Sequence, residues 1–283
     1  GTQNWLLILF YIGFGTLAGI WPIHTWSPDG HAAAPTAVSM MHAGVLMKLG
    51  AYGIIRIGMG LLPDAAETLA PLIGTVAVIN IVYGAFGAMW QRDLKYVVAY
   101  SSVSHMGIVM LGAATLNEIG LNGSIFQMFS HGIMTGLLFA LVGLIYEKAH
   151  SREILKMGGF AKSMPGVATF FLIGALTSLG LPGLSGFVAE ILVFLGAWKS
   201  PFSWWLIPAV LGAIITAVYV LRVAKWIFFG PEKNIGALKD AIGHEWIAPT
   251  VLSAILIVLG IYPKLLLDPI STSIVDFLGK FVK

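Results

Sequence analysis

The chain carries few charges for its length, and this scarcity excludes most classes of water-soluble protein. Only 10% of its 283 residues are Asp, Glu, Lys or Arg, whereas soluble domains average about 25%. Hydrophobic residues make up 58% of the chain, and the mean hydropathy is +0.88. A soluble protein with buried helices would need polar helix faces that the apolar stretches lack. The composition therefore indicates a membrane protein.

Cysteine is absent, which excludes disulfides, thiolate-held iron–sulfur clusters and cysteine nucleophiles. Neither a Walker A motif nor a strand-linked Gly-x-Gly-x-x-Gly appears, so no nucleotide site is predicted. The net charge of +3 is spread over loops and does not indicate nucleic acid. We expect no cofactor-binding and no metal-binding residue here, although lipids could bind. Because residue 1 is Gly and hydrophobic sequence follows at once, we expect this to be the carboxy-terminal part of a longer protein.

Eight stretches are apolar over the length of about 20 residues that crosses a bilayer. They are Asn4–Ile23, Ala33–Ile55, Ala70–Trp90, Val97–Asn117, Leu121–Tyr146, Met164–Trp198, Phe202–Val223 and Trp246–Tyr262. Basic residues sort between alternate loops. One side receives Arg92, Lys95, Lys148, Arg152, Lys156, Lys162, Lys225, Lys233 and Lys239, and the other receives Lys199, Lys264, Lys280 and Lys283. The positive-inside rule places the amino terminus outside, and the short last stretch Leu265–Lys283 is expected along the membrane interface.

One span is too long to be a straight helix. Met164–Trp198 would extend about 50 Å, against a hydrocarbon core of roughly 30 Å. Pro182 and Gly183 lie in its middle, so the helix is predicted to break there. The first span has a weaker copy of this pattern at Pro22, for which an ordinary proline kink is the alternative. Two interrupted helices in corresponding positions are typical of inverted-repeat transporters.

Ionisable side chains within the spans are rare, and they are the candidate site. They are Lys48, His42, His105, His131 and Glu190. A charge at the bilayer centre costs at least about 2.5–3.5 kcal/mol, which marks such groups as functional candidates. Counting residues from the ends of the spans places Lys48, His105, His131 and Glu190 near the middle of the membrane. His42 is a tentative fifth candidate. Such a row suits proton transfer along the membrane plane. The alternative is a static polar cluster that ties the helices together.

A membrane cytochrome with two histidines on one haem is a different hypothesis. Such a haem needs two histidines at matching depth on facing helices. Counted from the inner ends of their spans, His105 is eight residues deep and His131 fifteen, a mismatch of about 10 Å. A shared haem is therefore not expected.

Several local motifs, taken in order, resemble one known family. They are Pro22–His31, Ala34-Pro35-Thr36, Ala43–Gly53, Asp93-Leu94-Lys95, Ala99–Gly107, Ser130-His131-Gly132 and Leu181–Glu190. Together they resemble the antiporter-like subunits of respiratory complex I, and the M type above all. The resemblance extends from about Gly15 to Trp198.

This resemblance implies an all-α polytopic fold of fourteen spans with two inverted five-helix repeats, of which this chain holds the last eight. The implied units are residues 1–60 (the end of the first repeat), 70–229 (the second repeat, with the broken helix 164–198) and 246–283 (a final span and tail). By resemblance, Lys48 is the central lysine of the first half-channel and Glu190 the terminal glutamate of the second. His105 and His131 connect them.

The function implied by the resemblance is that of a proton-translocating subunit of NADH:quinone oxidoreductase in a bacterial inner membrane. Redox chemistry, with flavin and iron–sulfur clusters, would belong to partner subunits, and sister antiporter-like subunits would pack alongside. The sequence departs from the family at Leu17, where a lysine is usual, and His42 is a candidate replacement. The family's partner glutamate would precede residue 1. A subunit of a membrane-bound hydrogenase or a Na⁺/H⁺ antiporter, and a structural anchor without transport, are the alternatives.

Overall fold

The computed structural model describes residues 1–233 and 238–281, and within these ranges the chain is helical with no strand. Lys283 and the end of the predicted unit 246–283 lie outside the described residues. The main helices, in chain order, are α1 (Thr2–Ala18), α2 (Trp26–Ala33), α3 (Thr36–Met59), α4 (Pro63–Trp90), α5 (Leu94–Ala114), α6 (Glu118–Ala149), α7 (Pro165–Ser178), α8 (Ser185–Lys199), α9 (Leu206–Phe228), α10 (Ile247–Ile261) and α11 (Lys264–Leu278).

Six of the eight predicted spans are single helices long and apolar enough to cross a membrane. They are Thr36–Met59, Pro63–Trp90, Leu94–Ala114, Glu118–Ala149, Ser203–Phe228 and Gly243–Ile261. The two remaining spans are those predicted to be discontinuous, and both are interrupted. The expected class, an all-α polytopic membrane protein, is confirmed. Helix ends differ from the prediction by several residues, because α4 and α6 continue past the apolar stretches that defined them.

The predicted break at Pro182 and Gly183 is confirmed. Helix α7 ends at Ser178 and α8 begins at Ser185. Gly180 and Gly183 have φ of +72° and +94°, a left-handed conformation that glycine adopts without strain. The chain therefore turns between two half-helices inside the bundle.

The first span is also interrupted, and not merely kinked at Pro22. Helix α1 closes at Gly19, which has φ +73°, and the chain becomes helical again only at α2. The interruption frees the backbone N–H of Trp21, which donates to Asn80 Oδ1 of α4 at 2.8 Å. A freed backbone donor at membrane depth thus finds a protein partner, as lipid surroundings require.

Helix α3 contains two stretches of wider, π-type winding, His42–Leu46 and Gly53–Met59. Such bulges are frequent at functional sites. Lys48 lies between them, and its Nζ donates to the carbonyl oxygen of Ala43. The sequence did not predict this irregular winding.

Helices α5 and α6 form the centre of the bundle. In the apolar part of α5, 94% of the residues are buried, so its side chains are shielded from lipid. Helix α6 packs against α3, α5, α8, α10 and α11. The last of these, α11, buries Ile270, Ile274 and Phe277, and Ser271 Oγ donates to Asn122 Oδ1 of α6 at 2.9 Å. Its place relative to the membrane plane stays a prediction.

The loops rich in basic residues meet at one end of the bundle, here called the basic face. Ion pairs join Arg152 with Asp93 (3.2 Å), Lys148 with Glu245 (3.0 Å) and Lys162 with Glu232 (2.5 Å). The Glu232 carboxylate, by hydrogen bond and charge, raises the pKa of the Lys162 ammonium. The predicted sorting of these loops to one side therefore agrees with their contacts.

The prediction that Lys95 lies in a basic loop is wrong, because Lys95 is a helix residue. It lies in the first turn of α5, is buried, and donates through Nζ to Ala34 O (2.5 Å) and Ser39 Oγ (3.2 Å). Arg152 donates to Ala32 O at 3.0 Å. These cations hold the carboxyl end of α2, where unpaired carbonyl groups carry partial negative charge.

Candidate functional site

Lys48 lies where two glycines bring the backbones of α3 and α6 close together. A Cβ on Gly132 would come 2.7 Å from Gly44 O, so the two backbones are nearly in contact. The Cε atom of Lys48 is 3.9 Å from that same Cβ position. The buried lysine, 8% exposed, therefore reaches over α6 at the residue next to His131. No carboxylate in the described part of the chain forms an ion pair with it.

His131 and His105 are in direct contact. Their rings stack with centroids 5.0 Å apart and an interplanar angle of 15°. The expected 10 Å mismatch in depth is wrong. Helix α6 has 32 residues and is about 48 Å long, so it extends beyond a core of roughly 30 Å. Counting from its inner end therefore overstated the depth of His131.

A difference in depth therefore does not argue against a haem shared by His105 and His131. The orientation of the two rings does argue against it. An imidazole nitrogen binds a metal through a lone pair in the plane of its ring. Two stacked, nearly parallel rings direct these lone pairs past each other rather than at one iron between them. In the described part of the chain, no group of three or more His, Asp or Glu side chains could hold a metal ion.

His105 connects His131 to Glu190. Its Nε2 is 3.8 Å from Glu190 Oε1 and 3.1 Å from Ser178 O, and its Nδ1 is 2.7 Å from Ser101 O. Both backbone partners are acceptors, so both nitrogens donate only when the ring is the imidazolium cation. That charge would lie against the Glu190 carboxylate. The ring is thus arranged to hold a proton beside an acid.

His131 has the opposite surroundings. It is 1% exposed, and neither ring nitrogen finds a hydrogen-bond partner among the residues that the structure describes. Buried polar atoms are usually paired, so an unpaired imidazole is exceptional. Of the two stacked rings, His105 is held by hydrogen bonds and His131 retains two unused nitrogens.

Glu190 is positioned by the break between α7 and α8. It lies in the second turn of α8 and is 7% exposed. A Cβ on Gly180 would come 2.5 Å from Glu190 Oε2. The carboxylate can occupy this place only because the turn has a glycine there. The break between α7 and α8 thus places the Glu190 carboxylate directly against the backbone of the turn at Gly180.

Four of the five candidate residues therefore form one buried set, here called the polar row: Lys48, His131, His105 and Glu190. His42, the tentative fifth, packs against a different histidine. Its ring is 5.9 Å from that of His31, whose Nε2 is 3.3 Å from Met47 Sδ. This second histidine group follows the first break.

Sequence reasoning missed His31 and His24 as site residues, although both are buried. The His24 ring lies 4.8 Å from that of Tyr83, and in the described structure neither of its nitrogens has a partner. The signal was present, because both histidines lie in the motif that directly follows the Pro22 interruption.

Comparison with known proteins identifies a family, similar sequences and similar structures. A family model described as "NADH:quinone oxidoreductase/Mrp antiporter, TM" matches residues 1–216. NADH-quinone oxidoreductase subunit M of Rickettsia prowazekii is 41% identical over 281 residues, covering 99% of this chain and 57% of that protein. A chain of respiratory complex I from Thermus thermophilus superposes with a TM-score of 0.90 at 31% identity, covering 98% of this chain and 59% of that one.

A chain of the Mrp complex from a Dietzia species superposes with a TM-score of 0.89 at 23% identity, covering 96% of this chain and 59% of its own. At that identity the likeness concerns the fold alone. This chain spans a little over half the length of the curated relatives it matches. The apolar helices and the bacterial relatives identify an integral protein of a bacterial inner membrane.

Proposed function

The chain belongs to the NADH:quinone oxidoreductase/Mrp antiporter transmembrane family, and we propose that its polar row transfers protons along the membrane plane. The observation that carries this proposal is the contact of His131 with His105, which places two titratable rings between Lys48 and Glu190. Each of these four side chains is at most 8% exposed. Protons on them are thus shielded from bulk water.

Each step of the transfer has a chemical basis in the row. Lys48 can release a proton toward the unpaired nitrogens of His131, and its own charge then disappears from the dry interior. Histidine accepts and releases protons near neutral pH and can do so through either nitrogen. At the other end, Glu190 can take the proton from His105, which neutralises both groups of their ion pair.

A static polar cluster explains these contacts less well. Groups that only tie helices together are expected to satisfy their hydrogen bonds. His131 does not, and Lys48 has a backbone carbonyl for a partner instead of a carboxylate. The same contrast argues against a structural anchor without transport, for which burying a lysine and a glutamate would be a cost without a use.

We further propose that the whole protein is a membrane subunit of a proton-translocating NADH:quinone oxidoreductase. The names of the relatives at 38–41% identity support this assembly over a hydrogenase or a Na⁺/H⁺ antiporter. Sister membrane subunits would be its partners. Flavin and iron–sulfur clusters would belong to other subunits, and this chain would hold no redox cofactor. The subunits that co-purify with the chain test the assignment, because an antiporter complex would lack an NADH-oxidising module.

Leu17 lies at the end of α1, next to the first break, at a position where the family usually has a lysine. It is half-buried in a groove that Phe14, Trp26 and Leu46 also line. We propose that His31 and His42, whose rings are 5.9 Å apart, supply the titratable groups on this side.

The test of the proposed function is proton pumping by the complex reconstituted in vesicles. Lys48→Ala and Glu190→Gln are expected to depress pumping while the complex still assembles. Matched controls are Lys199→Ala and Glu118→Gln, which change exposed residues of the same types outside the polar row. If both variants in the polar row pump like their controls, the assignment of proton transfer to this row is wrong.

A further inference from the structure

A hydrogen-bonded chain leads from His105 to a buried tyrosine outside the polar row. Tyr219 of α9 is 1% exposed, and its hydroxyl donates to Ser101 Oγ at 2.7 Å. Ser101 lies one turn before His105 on α5, with its Oγ 3.4 Å from His105 Nδ1. Two hydroxyl groups therefore stand in sequence between α9 and the imidazole.

A narrow cavity ends at these hydroxyls. Its deep end is lined by Ser101, Ser178 and Tyr219. Leu94 and Val223 line it nearer the basic face, since α5 begins at Leu94 and α9 ends five residues after Val223. The cavity has a volume of about 20 Å³. That is room for about one water molecule.

The deep end of the cavity is also where a polar atom lacks a partner. Ser178 Oγ is buried beside the Tyr219 hydroxyl but forms no hydrogen bond of good geometry within the ranges described, although Ser178 O faces His105 Nε2 at 3.1 Å. An unpaired buried hydroxyl next to a cavity of this size is a site that a water molecule satisfies. The walls are otherwise apolar, so water is favoured only beside the three hydroxyls.

We propose that Tyr219 and Ser101 form the route by which protons pass from the basic face to His105. This inference rests on the proposed function of the polar row. A water molecule in the cavity takes up one proton from bulk water at the basic face and gives one to the Tyr219 oxygen, as the Tyr219 O–H proton passes to Ser101 Oγ. The Ser101 O–H proton then passes to His105 Nδ1 when that nitrogen carries no hydrogen. The cavity water and each hydroxyl gain one proton and lose one, so along the route only the imidazole changes charge.

Tyr219→Phe tests this route, because it removes the hydroxyl and keeps the ring that walls the cavity. In vesicles containing the complete complex, we expect pumping to fall at least about tenfold. We also expect a larger solvent deuterium isotope effect, since proton uptake becomes rate-limiting. Azide, whose conjugate acid is small enough to carry protons past the missing hydroxyl, should restore part of the rate. Tyr262→Phe is the control, since Tyr262 is exposed at the far end of α10.

If the Tyr219 hydroxyl only stabilised the fold, Tyr219→Phe would give a different result. If Tyr219→Phe pumps like Tyr262→Phe, or slows without an isotope effect and without a response to azide, the route is wrong. Should Tyr219→Phe fail to assemble, Ser101→Ala serves, because it keeps the carbonyl oxygen that faces His105 Nδ1 and removes only the relay hydroxyl. The same loss and the same azide response are expected, and their absence overturns the route.

The two proposals fail separately. If Lys48→Ala and Glu190→Gln abolish pumping while Tyr219→Phe and Ser101→Ala do not, the polar row stands and only this route is wrong. If Lys48→Ala and Glu190→Gln pump normally, the proposed function itself is wrong.

Discussion

The rings of His105 and His131 stack at 5.0 Å, and this contact joins the helix that faces Lys48 to the helix that faces Glu190. The two rings differ in what surrounds them. His105 is fixed by two backbone carbonyl groups, while His131 has no hydrogen-bond partner in the described residues. The pair therefore offers a proton one firmly held site and one loosely held site, which suits transfer better than storage. Because the nitrogens of the stacked rings point past each other, the proton crosses between them through a bridging water molecule.

The approach of α3 to α6 is expected to depend on Gly132. In Gly132→Ala, the new Cβ would lie 2.7 Å from Gly44 O, so the helices must separate. Lys48 would then move away from His131, and because small displacements of reacting groups are costly, pumping should fall about tenfold or more. Gly13→Ala is the control, since a Cβ there meets nothing within 4 Å. Pumping by Gly132→Ala at the control rate would contradict this dependence.

Comparing Gly180→Ala with Gly183→Ala distinguishes two effects of substituting a glycine in the break: displacement of Glu190 and backbone strain. The new Cβ would lie 2.5 Å from Glu190 Oε2 at a residue with φ +72°. Gly183→Ala has similar backbone strain, with φ +94°, but its Cβ meets nothing within 4 Å. Both variants should lose about 1 kcal/mol or more of stability, measured by thermal denaturation. Only Gly180→Ala should lose pumping, and equal losses in the two would show that Gly180 does not position the acid.

Lys95→Met should loosen the short helix α2. The variant removes a buried cation that donates to Ala34 O and Ser39 Oγ, at a cost of about 1–3 kcal/mol. Hydrogen exchange should therefore increase over residues 26–34, measured by mass spectrometry of the intact complex. Lys156→Met is the matched control, because that side chain is 69% exposed. Unchanged exchange over these residues would show that Lys95 does not hold α2.

The fold was largely predictable because lipid imposes strong rules. The length of an apolar stretch, the sorting of basic residues and a proline–glycine pair in an overlong span led to the eight spans and the break at Pro182. Helix ends were less predictable, because apolar composition does not show where a helix continues past the membrane. Thus α4 begins at Pro63 rather than at Ala70.

The site was predictable in its members and not in its geometry. Lys48, His105, His131 and Glu190 stood out because charge is rare in this chain. Their contacts depend on the π-type winding of α3, on the length of α6 and on the glycine contact at Gly132, none of which follows from counting 1.5 Å per residue. His31 and His24 were missed because their motif was used only to identify the resemblance.

The central claim is that protons pass in series through the polar row, with His131 as its middle member. The most direct measurement is the pumping rate of reconstituted His131→Phe, Glu190→Gln and the double variant, in complexes of equal subunit content. Transfer in series predicts that each single variant loses most of the pumping and that the double variant loses no more than either one. Normal pumping by His131→Phe, or losses that multiply in the double variant, would contradict the account.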